Sequence, residues 1–486
     1  MIIPTLEEAK KLSPGNTVIP IALEVFSDRR TPVEVLRTIQ RQSKDWYILE
    51  SVSNSPSWGR YSFLGYQPVM TVKGTEHTIT LKGRGTRIEK SGSPVDVIRD
   101  MIAGYKSPRI PYLPPFTGGF VGYFGYDFVR HFIPGLSLHA VDDSGFPEVY
   151  LMLMDKVIAF DHFKQKIYII VNISVEDLEH NYRKGIAELK DIEAMILEPA
   201  SDLDEIAPVC GEFSPVFSEM KFQDMVRQVK HHIVEGDIFQ CVISNRFQAP
   251  FQGSLMNAYR ILRTTNPSPY MVYMSLEDME IACSSPETLI SLQDGEVSSY
   301  PLAGTCPHKE NEAENNVLME ALLQNKKELA EHDMLVDLAR NDLGKVSCFG
   351  SVSVREYRQV KQFSQVNHIA SRVTGQLRDG IDAMDVIAAT LPAGTLSGAP
   401  KKRACEIIDQ LEGTRRGVYG GAIGYIDFTG NADLCIGIRM AVLKGGTVSV
   451  QAGAGIVADS VPEQESRETK IKSKAIIDAL QRCGEV

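Results

Sequence analysis

Residues 1 to about 195 alternate apolar and polar side chains in short runs, with few long helical stretches between them. VMTVKG, HTITLKG and TRIEK read as strands joined by glycine-bearing turns, and VYLMLMDKVIAFDHFKQKIYIIVNIS reads as a long hairpin. A sheet-rich first half follows. Residues 196–215 are polar and carry prolines, which marks a linker between segments 1–195 and 216–486. From Lys221 the period changes: Phe222, Met225, Val226, Val229 and Ile233 fall at helical spacing, and Gly236 ends that helix. IFQCVISNRFQ reads as a strand, Ser254 to Arg263 as a short helix, and several strands follow up to Ala303. Glu312 to Asp342 reads as largely helical. Ser397 is placed to cap a helix that runs to Leu411 and stops at Gly413. Ser460-Val461-Pro462-Glu463 has the pattern of a capping box opening the last helix.

A chain of 486 residues has room for about two or three domains. Its 43% hydrophobic and 23% charged residues suit a globular core that needs no staples. The net charge is −11 and no sustained Lys/Arg run occurs, so the basic footprint of a nucleic-acid binder is missing. An anionic substrate would need local help from a metal, an arginine or a helix N-terminus. The eight cysteines form no CxxC pair, which removes zinc-site spacing and fits reduced thiols in the cytoplasm. No apolar run reaches the ~18 residues of a membrane span, and MIIPTLEEAKKL has no signal-peptide core.

KELAEHDMLVDLARND puts Glu328 and Glu331 three residues apart on one helix face. Two carboxylates so placed repel each other unless a cation lies before them, and Mg²⁺ takes oxygen ligands. A second stripe follows at Glu465, Glu468 and Lys472. Either stripe alone reads more simply as a solvated, salt-bridged face. Gly394-Thr395-Leu396-Ser397-Gly398 and the apparent turn Gly453-Ala454-Gly455 offer backbone N–H groups to a carboxylate, and Arg439 offers a two-pronged donor. GGFVGYFG (118–125) lacks the GxGxxG order and reads as structural.

PLAGT (301–305), KELAEHDMLVDLARNDLG (327–344), PAGTLSGAPKKRA (392–404), RRGVYGGAIGY (415–425) and QAGAGIVADSVPEQE (451–465) occur together in this order and spacing. On these motifs the chain resembles the chorismate-utilising enzymes, and among them the component I family of anthranilate synthases, over nearly its whole length. The resemblance implies an α+β fold in which two large antiparallel sheets form a sandwich with helices on the outer faces. It implies a catalytic domain at 216–486 and an N-terminal domain that carries part of a regulatory site. The implied reaction is amination of chorismate. Ammonia adds at ring C2, the C4 hydroxyl leaves, and enolpyruvate is then eliminated as pyruvate to give anthranilate, on the way to tryptophan. By the same resemblance Glu331 and Glu468 ligate Mg²⁺ directly, and Glu328 and Glu465 hold its waters. Glu287 is the general acid, His368 serves the pyruvate elimination as a proton relay near neutral pH, and Thr395 joins them. Gly304, Thr305, Thr395, Tyr419, Arg439, Gly453, Ala454, Gly455 and Lys472 hold the substrate.

Two residues select among sister enzymes. Ala303 stands where aminodeoxychorismate synthases carry a nucleophilic lysine, and Gln240 stands where water-adding relatives carry a lysine base. Leu49, Glu50 and Ser51 with GRYSFLG (59–65), and NPSPYMVYM (266–274), resemble the tryptophan-binding element of the family. This implies feedback inhibition through Leu49, Glu50, Ser51, Asn266, Pro267, Tyr270, Met271 and Tyr273. No G-x-C-x-G nucleophile elbow is present, so glutamine would have to be used through a separate glutamine amidotransferase subunit in a hetero-oligomer, a heterotetramer by resemblance. Three positions depart from the family pattern: Cys306 for Arg, Asn367 for Met, and Met440 for a small hydroxyl residue.

Overall fold

The computed structural model describes residues 2–51, 59–83, 85–198, 207–309, 311–362 and 366–486, with Thr305 described by its backbone alone. Among them two antiparallel sheets, of 14 and 12 strands, face each other. Tyr47, Val272, Ile281 and Cys283 of the larger sheet interlock with Tyr123, Met152, Ile423 and Cys435 of the smaller one to make the inter-sheet core. The outer face of the larger sheet is covered by helices such as Pro32–Gln42, Leu178–Leu197 and Met256–Thr265. Lys326–Gly344 and Ala383–Thr390 cover the smaller one. This is the expected sandwich. Its cause is visible in single strands: in Tyr270–Leu276, Val272 and Met274 point between the sheets while Met271 and Tyr273 point to the helices.

Both sheets draw strands from both halves of the chain. Ile48 and Tyr273 are register partners in the larger sheet, and Val121 and Tyr425 in the smaller. In the expected linker, Ile196 still belongs to the helix Leu178–Leu197, and Val209–Cys210 and Ser214–Pro215 pair with the strand Gln240–Gln252. Residues 199–206 lie outside the described residues.

Three local expectations are corrected. Residues 149–174 are not one hairpin. Val149–Met154 lies in the smaller sheet, and only Lys156–Asp161 and Lys166–Ser174 form the hairpin, in the larger. The chain changes sheets at Asp155, whose carbonyl accepts from the Asn172 backbone N–H at 2.8 Å. Ser397 does not cap the next helix, because its hydroxyl donates to the Ala393 carbonyl at 2.8 Å and the helix Lys401–Glu412 starts after Pro400. Gly413 ends that helix at φ +62°, as expected of a left-handed stop. The last helix, Pro462–Gln481, has no side-chain cap, since the Ser460 hydroxyl accepts from the Val457 N–H at 3.1 Å instead.

GGFVGYFG is structural, as expected. Gly119–Phe124 is a buried strand, and a Cβ on Gly122 would collide with the Tyr150 carbonyl oxygen. No described helix is long and apolar enough to cross a membrane.

Candidate active site

Three pieces of backbone converge where the expected motifs meet. The first is the strand Leu302–Pro307, whose Gly304 adopts φ +70° and where an added Cβ would lie 2.9 Å from Ile369 and 3.4 Å from Glu328. The neighbouring strand, Val366–Gln376, carries His368, which pairs in register with Thr305. The Gly304 carbonyl lies 3.2 Å from His368 Nδ1. Nδ1 therefore carries the proton and Nε2 is the acceptor. Burial, then the Arg439 charge, push the imidazole down to about 4. His368 is thus neutral at physiological pH, and the near-neutral relay expected from sequence becomes a permanently uncharged base.

The second piece is the segment after the strand Met279–Ser285. Thr395 donates to Glu287 Oε1 at 3.0 Å. Loss of hydration pushes the Glu287 carboxyl up to about 7, against the opposing pull of Thr395, Arg439 and Lys472. A carboxyl so tuned stays protonated up to neutral pH and can donate. Arg439 itself sits at φ +49°, an uncommon conformation for a non-glycine residue, and among the described residues its guanidinium forms no ion pair. Burial lowers its pKa, and Glu287 opposes that.

The third piece is the strand Thr447–Ile456 with the last helix. Gly453-Ala454-Gly455 is not a turn, because all three residues pair with the strand Gln240–Gln252. Gly453 and Gly455 share one face. A Cβ on Gly453 would lie 2.9 Å from the Tyr419 hydroxyl, and one on Gly455 would lie 2.9 Å from Gln240 Nε2. Ala454 turns its methyl into the opposite core, so only its backbone is available to a ligand. Lys472 Nζ donates to the Gly453 carbonyl at 3.1 Å and pairs with Glu468 at 2.6 Å.

The two acidic stripes also meet. Burial pushes the Glu331 carboxyl up, and Glu328 and Glu468 push it further, while Lys327 and Lys472 pull it down. Glu465 is raised by burial and by Glu468, against Ser460 and the same two lysines. Across the helices Lys326–Gly344 and Pro462–Gln481, Glu331 therefore feels the charges of Glu328 and Glu468, and Glu465 that of Glu468. As the side chains stand, no three metal-binding groups among the described residues are close enough to hold an ion. An all-carboxylate donor set whose members repel one another is the chemistry a hard divalent cation relieves.

Arg416 and Glu412 escaped the sequence reading. Arg416 is fully buried and reaches Glu412 through Nε at 2.8 Å and Nη2 at 2.5 Å. It also donates to the carbonyls of Leu396 and Val242, each at 2.7 Å. Its cation lies 5.7 Å from the Tyr419 ring, so it fixes both the 394–396 turn and Tyr419. The i,i+4 spacing of Glu412 and Arg416 was the available signal. Glu412→Ala is expected to destabilise the fold by about 3–5 kcal/mol by stranding a buried guanidinium, seen as a lowered urea midpoint at unchanged slope.

A cavity of about 490 Å³ opens between the sheets. Leu49, Glu50, Ser51, Tyr270 and Met271 line it, together with Tyr300, Tyr425 and Asp433. Glu50 is held by Arg263 Nε at 2.7 Å and by the Tyr259 hydroxyl at 2.7 Å. The Tyr270 hydroxyl donates to Asp433 at 2.7 Å and lies 3.0 Å from the Thr288 hydroxyl. Burial pushes Asp433 up to about 6. The Ser51 hydroxyl is buried with no partner among the described residues. Asn266, Pro267 and Tyr273 lie off this cavity. Asn266 bonds Ser284 at 3.1 Å, and Tyr273 faces the opposite side of its strand, 4.7 Å from Trp46. Tyr425 and Asp433 are register partners on neighbouring strands, and Tyr300 joins them from a distant part of the chain.

The three departures have these places in the fold. Cys306 and Asn367 are register partners, and Asn367 Nδ2 lies 3.6 Å from the Cys306 sulfur. Met440 belongs to the inter-sheet core.

The sequence profile described as "chorismate binding enzyme" matches residues 52–478. The chain belongs to the chorismate-binding enzyme family. Within that family it is 42% identical to anthranilate synthase component 1 of Acetivibrio thermocellus over the whole of both chains. It is 41% identical to that of Pseudomonas aeruginosa over 96% of each. Among solved structures, anthranilate synthase component I of Streptococcus pneumoniae TIGR4 superimposes with a TM-score of 0.76 at 37% identity, covering 93% of this chain and 98% of that one. The menaquinone-specific isochorismate synthase of Escherichia coli, 18% identical, shares the fold at a TM-score of 0.72 over 98% of each chain.

Proposed function

We propose that this chain aminates chorismate to anthranilate with release of pyruvate, as the component I of an anthranilate synthase in tryptophan biosynthesis. The observation that carries the reading is Glu287. Its carboxyl, pushed up to about 7, keeps a large protonated fraction at neutral pH, bonded to Thr395 and set beside the cations of Arg439 and Lys472. Arg439 and Lys472 suit the carboxylates of the substrate, and Glu287 suits the departing C4 hydroxyl. Neutral His368 then accepts a ring proton as pyruvate leaves. Gly453 and Gly455 leave room for the ring against Tyr419 and Gln240.

Glu331 and Glu468 would hold Mg²⁺ directly, with Glu328 and Glu465 behind its waters. The ion supplies an anchor and charge neutralisation for the ring carboxylate. Ala303 and Gln240 favour anthranilate over the aminodeoxychorismate and isochorismate alternatives, because neither side chain is a nucleophile or a base. Chromatography of the products from chorismate, ammonia and Mg²⁺ decides this. Anthranilate and pyruvate in equal amounts are expected, and accumulation of a non-aromatic amine would overturn the assignment. Ammonia comes from a separate glutaminase subunit, so glutamine alone should support no turnover by the isolated chain.

The inter-sheet cavity is the tryptophan site, with indole against the apolar walls and the amino acid head near Ser51. Ser51→Phe should relieve tryptophan inhibition with little loss of activity. Undiminished inhibition in that variant would remove this assignment.

A further inference from the structure

A small cavity of about 50 Å³ borders Glu287 and Thr395. Glu287, Thr395, Ser299 and Asp342 line it, with Leu338 and Ala339 of the helix Lys326–Gly344. His368, Tyr419, Arg439, Gly453 and Lys472 take no part in its wall. The space suits about four waters. Asp342 accepts from Lys401 at 3.0 Å and from Lys345 at 2.8 Å, and Lys345 is half exposed, so the Asp342 side reaches solvent.

We propose that this cavity is the water-filled path by which Glu287 recovers its proton from solvent after each turnover, with Asp342 at its entrance. The inference rests on the proposed amination. The Glu287 proton passes to the C4 oxygen as the C–O bond breaks, which leaves water and a carboxylate. With the ring filling the other side of Glu287, that carboxylate takes its next proton from a cavity water. The water takes one in turn from a buffer acid at the Asp342 side. The added ammonia becomes an ammonium group, which later loses a proton to solvent as the aromatic amine forms, so the protons balance over the cycle. Asp342 and Ser299 are positioning residues for these waters and do not touch the substrate.

Ala339→Val extends a side chain into the cavity, whereas Ala339→Gly leaves it open. Anthranilate formation from chorismate, ammonia and Mg²⁺ is followed in H₂O and D₂O. Ala339→Val is expected to lower kcat about tenfold, as proton return becomes limiting, with kcat/KM for chorismate unchanged and a larger solvent isotope effect on kcat. Ala339→Gly is expected to keep the wild-type kcat and isotope effect. The proposal fails if Ala339→Val matches wild type. It fails equally if both variants are slowed alike with an unchanged isotope effect, which marks helix packing as the cause. A wild-type protein that makes no anthranilate defeats the amination reading itself, a result distinct from any difference between the two variants.

Discussion

Glu287→Gln is expected to lower kcat for anthranilate formation by about 10²–10⁴-fold while leaving the melting temperature near that of wild type. The amide keeps the shape and can still accept the Thr395 hydrogen bond, so the loss isolates the proton. The sign of the pH dependence follows from the raised carboxyl. Glu287 is active when protonated and titrates at about 7, so the wild-type rate should hold below that pH and fall above it. His368, pushed down to about 4, stays neutral across this range and contributes no limb there. The measurement is kcat against pH at constant free NH₃ rather than constant total ammonium. The residual activity of Glu287→Gln should lack the alkaline limb. A variant with wild-type kcat would remove Glu287 from the chemistry.

Glu331→Gln is expected to abolish Mg²⁺-dependent turnover, by more than about 100-fold, since loss of a direct ligand exceeds the usual cost of losing a supporting one. The folded chain should survive. Without metal the Glu331 carboxylate is opposed by lost hydration and by the charges of Glu328 and Glu468, so a neutral amide there relieves repulsion. In chelator, the variant should melt no lower than wild type. Added Mg²⁺ should raise the wild-type melting temperature and leave that of the variant unmoved, because only a ligand that binds the native state stabilises it. Retained Mg²⁺-dependent activity in Glu331→Gln would contradict the metal assignment.

Much of this arrangement was legible in the sequence because the chemistry sits in contiguous motifs. Glu328 and Glu331 share a helix face by spacing alone, and alternation along residues 70–91 gives its three strands directly. The misreadings have a common cause: a local signal competed with a tertiary partner. Ser397 looks like a cap but finds the Ala393 carbonyl, and Gly453 to Gly455 look like a turn but find a ladder. Asp155 carries no signal that the chain leaves one sheet for the other, since both flanking strands are equally apolar. The inter-sheet cavity was half visible. Leu49 to Ser51 and Tyr270 announce it, whereas Asp433 reaches it through the pairing of the strand Ala432–Ile436 between Thr288–Gln293 and Ala422–Asp427.

The most direct test is anthranilate fluorescence after chorismate and ammonium are mixed with the purified chain, with Mg²⁺ and then with excess chelator. The account predicts steady formation of the fluorescent product that stops on chelation and resumes when Mg²⁺ is restored. No fluorescence in Mg²⁺, or an equal rate in chelator, would contradict it.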